Sequence, residues 1–177
     1  MQQDKINRMN QTEYFPLVTE DGEVIGKATR QECHSGTFWL HPVVHLHVFN
    51  SNGELYLQKR SETKDIQPGK WDTSVGGHID FGEETEVALR REVREELAIT
   101  EFEPEFITRY KFTSKQESEL VNVHRTTYDG AISPDPVEIS EGRFWTIDEI
   151  KSALGKEVFT PNFEQEFINI ILPTLGQ

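Results

Sequence analysis

The period of apolar and polar positions separates a series of strands from one dominant helix. Glu13 to Val18 and Val24 to Thr29 read as two strands joined near Asp21-Gly22, a dipeptide suited to tight hairpin turns. Val43 to Asn50 and Leu55 to Arg60 predict a second pair around Asn52-Gly53. Ser61 to Lys70 is polar, with a turn at Pro68-Gly69. Trp71 to Ile79 passes through Gly76-Gly77 towards the strongest helical signal, Glu83 to Leu97. There Leu89, Val93 and Leu97 recur at four-residue steps and form a core stripe. Phe102 to Phe112, Val121 to Tyr128 and Arg143 to Thr146 predict further strands. Thr146 is placed to cap a short helix from Ile147 to Leu154, and Asn162 to cap a last helix ending near Ile171, before Pro173. Strands on both sides of a central helix, without repeats or a low-complexity linker, predict one α/β domain with a mixed sheet over residues 12–177. Met1 to Gln11 is polar and reads as a flexible tail.

Composition narrows the function. A chain of 177 residues can bury one core, and 11 Phe with 3 Trp supply bulk for it. Lys and Arg number 18 against 31 Asp and Glu, a net charge of −13. That balance disfavours nucleic acid as a partner, since phosphate backbones require clustered basic residues, and it disfavours anionic membranes. It leaves room for a small polyanionic substrate if a divalent cation stands between carboxylates and phosphates. One cysteine, Cys33, permits no internal disulfide, and no apolar run suggests a signal or a membrane span. A cytoplasmic location is the expectation.

The candidate chemistry lies on the central helix. Glu92, Glu95 and Glu96 stand at i, i+3 and i+4, within an arc of roughly 100° at ~100° per residue. Three like charges at the rim of a core repel, and hard oxygen ligands suit Mg²⁺ or Mn²⁺. Arg91 can reach back to Glu83 and pin the preceding loop against the helix. Gly76 and Gly77 carry no Cβ, so backbone can approach a metal or phosphate there. Read in isolation, the three glutamates also fit an ordinary solvated helix with pairs such as Glu86–Arg90 and Arg91–Glu95.

The longer pattern from Gly77 to Ile99 resembles the Nudix box. Eight of its nine fixed positions match: Gly77, Glu83, Arg91, Glu92, Val93, Glu95, Glu96 and Ile99. The departure is Ala98, where the family has a glycine that helps the chain turn after the helix; backbone strain is expected there. The resemblance implies an α/β/α sandwich, with the box as loop–helix–loop against a mixed sheet. It implies a Mg²⁺ or Mn²⁺ cofactor held by Glu92, Glu95 and Glu96 with a backbone carbonyl near Gly76 or Gly77. It also implies hydrolysis of a diphosphate linkage in a nucleoside diphosphate derivative or other organic diphosphate, with a homodimer as a common assembly. A further glutamate outside the box often assists, and Glu117, Glu119, Glu138 and Glu141 are the candidates.

A wider likeness, over Leu17 to Ile99, is to the isopentenyl-diphosphate isomerase branch of the same superfamily. Shared features include Gly26, Arg30, His34, His41, Asn50 to Gly53, Arg60, Lys64, Pro68-Gly69, Trp71 and Gly77-His78. In the isomerases, positions matching Arg30, Arg60 and Lys64 hold a diphosphate. Those matching His34, His41 and His78 hold a divalent metal with two downstream glutamates. The isomerase uses a cysteine where this chain has Gly76, and its acidic motif aligns best with Leu120 and Asn122, which would remove both acids. His45 and His47 alternate on a strand and, with no carboxylate partner in view, read as structural. The resemblance therefore points to an isomerase-type scaffold carrying hydrolase machinery. The alternatives are an isoprenoid isomerase and a non-catalytic diphosphate-binding protein.

Overall fold

The computed structural model describes residues 12–176 other than Asp65, so the expected tail, Met1 to Gln11, lies outside the described residues. A hairpin of β1 (Tyr14–Val18) and β2 (Val24–Thr29) leads into a one-turn helix α1 (Arg30–Cys33), closed by a reciprocal cap between Thr29 and Glu32. The main sheet contains β3 (Leu40–Phe49), β4 (Leu55–Arg60), β5 (Trp71–Asp72), β6 (Val75–His78), β7 (Glu105–Thr113), β8 (Ser118–Thr127) and β9 (Ile139–Trp145). The box helix is α2 (Thr85–Leu97), followed later by α3 (Ile147–Ala153) and α4 (Pro161–Glu166). The last of these continues through a π-helical turn at Phe167–Ile171 to Leu172–Thr174.

The sheet is mixed, as expected. β3 runs parallel to β8 over Leu40↔Ser118 to Phe49↔Thr127 and antiparallel to β6 over Val43↔His78 to Leu46↔Val75. β4 meets β3 only at Phe49↔Leu55, and then pairs with β5 and β9. The sheet therefore forks beside β3, with β6 on one branch and β4 on the other. Ser74 plugs the fork: its hydroxyl donates to Tyr56 O (2.5 Å) and accepts from Val48 N–H (2.9 Å).

Period-two alternation along β3 builds two cores. Val44, Leu46 and Val48 face Ala88, Leu89, Val93 and Leu97 of α2. Val43 and Phe49 face the other way, with Leu57, Val121, Val123 and Ile150 of α3, and Phe163, Phe167 and Ile171 of the last helix. The result is a helix–sheet–helix sandwich.

Several boundaries differ from expectation, as where β8 begins at Ser118 and β9 at Ile139, and three of the shifts have a clear physical reason. The long strand begins at Leu40, because parallel pairing with β8 draws in its polar entrance. The last helix is capped by Thr160 rather than Asn162: Thr160 Oγ1 accepts from Phe163 N–H at 3.2 Å, and Pro161 occupies the first helical position. The box helix starts at Thr85 because Gly82, at φ 86, turns the preceding chain. No helix among the described residues is long and apolar enough to cross a membrane.

Candidate metal and diphosphate site

The loop before α2 is held by Arg91. Its guanidinium grips Glu83 in bidentate fashion, Nε to Oε1 and Nη2 to Oε2, both at 2.8 Å, and Nη2 also donates to His78 O at 2.9 Å. Nη1 donates to Glu92 Oε1 at 2.6 Å, and Glu95 lies 3.8 Å away. One mostly buried cation thus ties β6, the loop and two helix carboxylates into one unit. Opposite it, Gly77 lets Glu92 pack against the backbone, because a Cβ there would collide with the Glu92 carboxylate and force it to shift.

Glu96 faces the fork. Gln58 Nε2 donates both to Glu96 Oε2 (2.8 Å) and to Ser74 O (3.1 Å), fixing the carboxylate against the sheet. Burial, then the charge of Glu92, pushes the Glu96 carboxyl up to about 8, despite the bond from Gln58. A carboxyl so disfavoured as an anion, beside a second one, is a place where a divalent cation would be stabilising.

A second cluster lies beyond the entrance of β3. His34 from the end of α1, His41 from β3, His78 from β6 and Glu117 just before β8 bring ligand atoms within 4.8 Å of one another. His34 Nε2 is 3.1 Å from Glu117 Oε2 and 3.2 Å from His78 Nε2, while Glu119 Oε1 lies 4.0 Å from His78 Nε2. Phe15 of the hairpin stacks on His78 at 4.3 Å and backs the cluster. Burial and neighbouring positive groups keep the histidines neutral: His34 is lowered to about 4, His41 is lowered, and His78 lies well below its ordinary range. His41 Nε2 is buried without a hydrogen-bond partner, and buried Glu117 Oε2, though 3.1 Å from His34 Nε2, makes no well-directed hydrogen bond. Neutral imidazoles and an unsatisfied buried carboxylate form a donor set that fits a divalent cation.

The match to known proteins follows this geometry. The model of the NUDIX domain matches residues 39–164. The chain belongs to the Nudix family. It is 29% identical over 163 residues to isopentenyl-diphosphate Delta-isomerase 1 of Photorhabdus laumondii, covering 88% of this chain and 93% of that protein. It is 32% identical over 158 residues to an uncharacterized Nudix hydrolase, lmo0368, of Listeria monocytogenes, covering 85% of this chain and 90% of that protein. Among solved structures, DR0079 of Deinococcus radiodurans superposes with a TM-score of 0.73 at 29% identity, covering 86% of this chain and 96% of that one.

Within this Nudix chain one sequence-level alignment needs correction. The acids near the histidines are not replaced by Leu120 and Asn122. Asn122 points to the opposite face, where it donates to Val43 O (3.0 Å) and accepts from Arg109 Nε (2.9 Å). The acids are Glu117 and Glu119, separated by one residue at the start of β8; Glu119 pairs in register with His41. The spacing Glu-x-Glu leading into a strand, two residues on one face, was the available signal. Glu138 lies against Lys64, with its charge acting on Glu96, and Glu141 of β9 pairs in register with Lys59 of β4.

The basic residues expected to hold a diphosphate each meet an acid or backbone group. Arg30 pairs with Glu13 at 3.3 Å. Arg60 donates to Ile66 O (3.0 Å) and to Asp72 Oδ2 (3.3 Å), and Lys64 contacts Glu138. Their charges nevertheless reach the two acidic clusters. Arg30 and Arg60 act on Glu117, and Lys64 acts on Glu96.

His45 and His47 do have a carboxylate partner, contrary to the sequence reading. Glu166, supplied by α4, accepts from His45 Nδ1 at 2.9 Å and contacts His47 Nε2. A partner more than a hundred residues away leaves no local trace in sequence.

Proposed function

We propose that this chain is a divalent-metal-dependent hydrolase that cleaves the diphosphate linkage of a small organic diphosphate. The observation that carries the reading is the contact of Glu92 with the backbone of Gly77, beside the buried, cation-seeking Glu96. Glu92, Glu95, Glu96 and the backbone at Gly77 would hold Mg²⁺ or Mn²⁺. A bound ion of this kind supplies charge neutralisation on the phosphate oxygens as the linkage breaks. Arg91 keeps Glu92 in place, and Gln58 keeps Glu96 in place. A water attacks phosphorus, the new P–O bond forms, the anhydride P–O bond breaks, and a carboxylate of the acidic set takes the proton. Arg30, Arg60 and Lys64 flank the acids and would contribute to holding the diphosphate, Arg in a forked contact and Lys as a point charge.

A second reading is favoured by the cluster of His34, His41, His78 and Glu117 with Glu119 alongside. In this reading the chain is an isomerase of an isoprenoid diphosphate. Gly76 opposes it, since a glycine offers no side chain for proton transfer. A panel of nucleoside and prenyl diphosphates with Mg²⁺, scored for phosphate release and for isomer ratio, separates the two. Phosphate release without isomerisation is the expected result. Isomerisation without release would replace the hydrolase reading, and binding with neither would make the chain a non-catalytic diphosphate binder.

A further inference from the structure

We infer that the chain carries a second small-molecule site, apart from the metal and diphosphate groups, and that it takes a small organic monocarboxylate: one anionic head on a compact apolar body. The site is a cavity of ≈ 330 Å³ bounded by the β1–β2 hairpin, the loop before α2 and the β7–β8 ladder. Neither Glu92, Glu95 and Glu96 nor the clustered histidines line it. Glu83 is the one residue it shares with the Arg91 clamp.

Arg109 supplies the recognition. Its guanidinium stands at the cavity rim, fixed by two neutral oxygens: Nε donates to Asn122 Oδ1 (2.9 Å) and Nη1 to Asp21 O (2.8 Å). Asn122 is itself buried and anchored through Nδ2 to Val43 O (3.0 Å) and Leu120 O (3.3 Å). At the hairpin turn a Cβ on Gly22 would lie 2.5 Å from Nη1, so the turn leaves room for this one group. Six other arginines, Arg30, Arg60, Arg90, Arg91, Arg125 and Arg143, each pair with a carboxylate. Among the described residues no carboxylate pairs with Arg109, and its Nη2 has no hydrogen-bond partner. In a chain with 31 acids against 18 basic residues, an acid was available to fill that place. A guanidinium held rigidly by neutral groups, with one edge of its fork left open, is built to receive a carboxylate.

The rest of the lining sets the size and charge of the ligand. Val18, Pro42, Ile79 and Leu120 give apolar walls, and Val24 and Phe81 stand exposed at the mouth. The volume lies at the lower end of the range for small-molecule pockets, about 300–1,000 Å³, which suits one ring or a short branched chain. Glu83 is neutralised by the bidentate grip of Arg91. Glu84, the first residue of the α2 cap, also lines the cavity and makes no side-chain cap bond. One guanidinium beside that carboxylate offsets a single negative head and not the several charges of a diphosphate. The ligand is therefore not the substrate. It would lie against the Phe81–Gly82–Glu83 loop, so its arrival is felt by the Arg91 clamp without entry into the metal site.

The test titrates phenylacetate, acetate and the neutral phenylacetamide into the ¹⁵N-labelled wild-type chain, Arg109→Gln and Val24→Trp. Calorimetry runs in parallel, and thermal melts confirm folding. Phenylacetate should bind and shift the backbone amides of Gly22, Gly82 and Glu83, while those of Gly76 and Gly77 stay in place. Phenylacetamide, which lacks the charge, and acetate, which lacks the body, should each bind about tenfold more weakly or worse. Arg109→Gln should weaken phenylacetate by about tenfold and leave phenylacetamide unchanged. Arg109 also ties the hairpin to the sheet, so that variant could lose its fold. Val24→Trp, at an exposed position on the mouth, should then give the same loss by filling the entrance. The inference is overturned if phenylacetate does not bind the wild type, if either control binds equally well, or if the folded variants bind phenylacetate unchanged. Shifts centred on Gly76 and Gly77 overturn it too, by placing the anion at the diphosphate site. The measurement needs neither metal nor turnover, so failure of the hydrolase reading leaves this result standing, and the reverse.

Discussion

Glu92 stands against the backbone of Gly77 so closely that no Cβ fits between them. Gly77→Ala must therefore push the carboxylate away, and displacements of ~1 Å at a reacting site cost about 100-fold in rate. Turnover of the best diphosphate by Gly77→Ala should fall by at least that factor, with a weaker Mg²⁺ requirement curve. Unchanged turnover would remove Gly77 and Glu92 from the site.

Glu96 makes stability depend on pH and metal together. Its folded pKa, about 8, lies above the ordinary 4.5, so the folded state holds that proton more tightly than the unfolded chain. The stabilisation is complete below the unfolded value and is lost as pH rises towards 8. Glu119, raised to about 7 by burial and then by Glu117, acts in the same sense. In chelator, the melting temperature should fall between pH 5 and 8.5 by more than in Glu96→Gln, and Mg²⁺ should recover more of it at high pH. At this chain length, ~1 kcal/mol corresponds to roughly 2–4 °C. A flat profile in chelator would show that Glu96 is not a buried, protonated acid.

Ala98 ends the box helix in the left-handed region, at φ 57 and ψ 25. A non-glycine residue there costs about 1–2 kcal/mol relative to glycine, less the ~1 kcal/mol entropy that glycine loses on folding. Ala98→Gly should raise the melting temperature modestly, by ~1–3 °C, and leave kcat unchanged, because the residue touches no site carboxylate. A lower melting temperature would mean that the Ala98 methyl packs more favourably than its backbone is strained.

Gly76 stands where the resemblance to the isomerases implies a cysteine, and a glycine offers no side chain for proton transfer. Interconversion of isopentenyl and dimethylallyl diphosphates by the wild-type chain should therefore be undetectable by product ratio. Isomerisation that persists in Glu92→Gln would put the chain's chemistry on the histidine cluster.

What sequence disclosed and what it hid divide along distance. The box helix, its Leu89/Val93/Leu97 stripe, the Arg91–Glu83 clamp and the turn at Ala98 were legible because each is carried by residues within about fifteen positions of one another. Asn162 was mistaken for a cap because Thr160, two positions earlier, offers an equal hydroxyl and is followed by Pro161. The pairing of His45 and His47 with Glu166, the support of Glu96 by Gln58 and the meeting of Glu117 with three histidines depend on strand order. No period or motif encodes that order locally.

The parallel ladder between β3 and β8 joins segments separated by 78 positions at Leu40↔Ser118. Such a pairing closes a long loop before it is rewarded, and contacts of this range form slowly. The box helix and its clamp can therefore be in place on a chain whose histidines have not yet met Glu117. Refolding should be biphasic to a probe of each cluster, with competence at the carboxylate helix preceding competence at the imidazoles. A nascent chain released before residue 117 would carry the family signature without a finished enzyme.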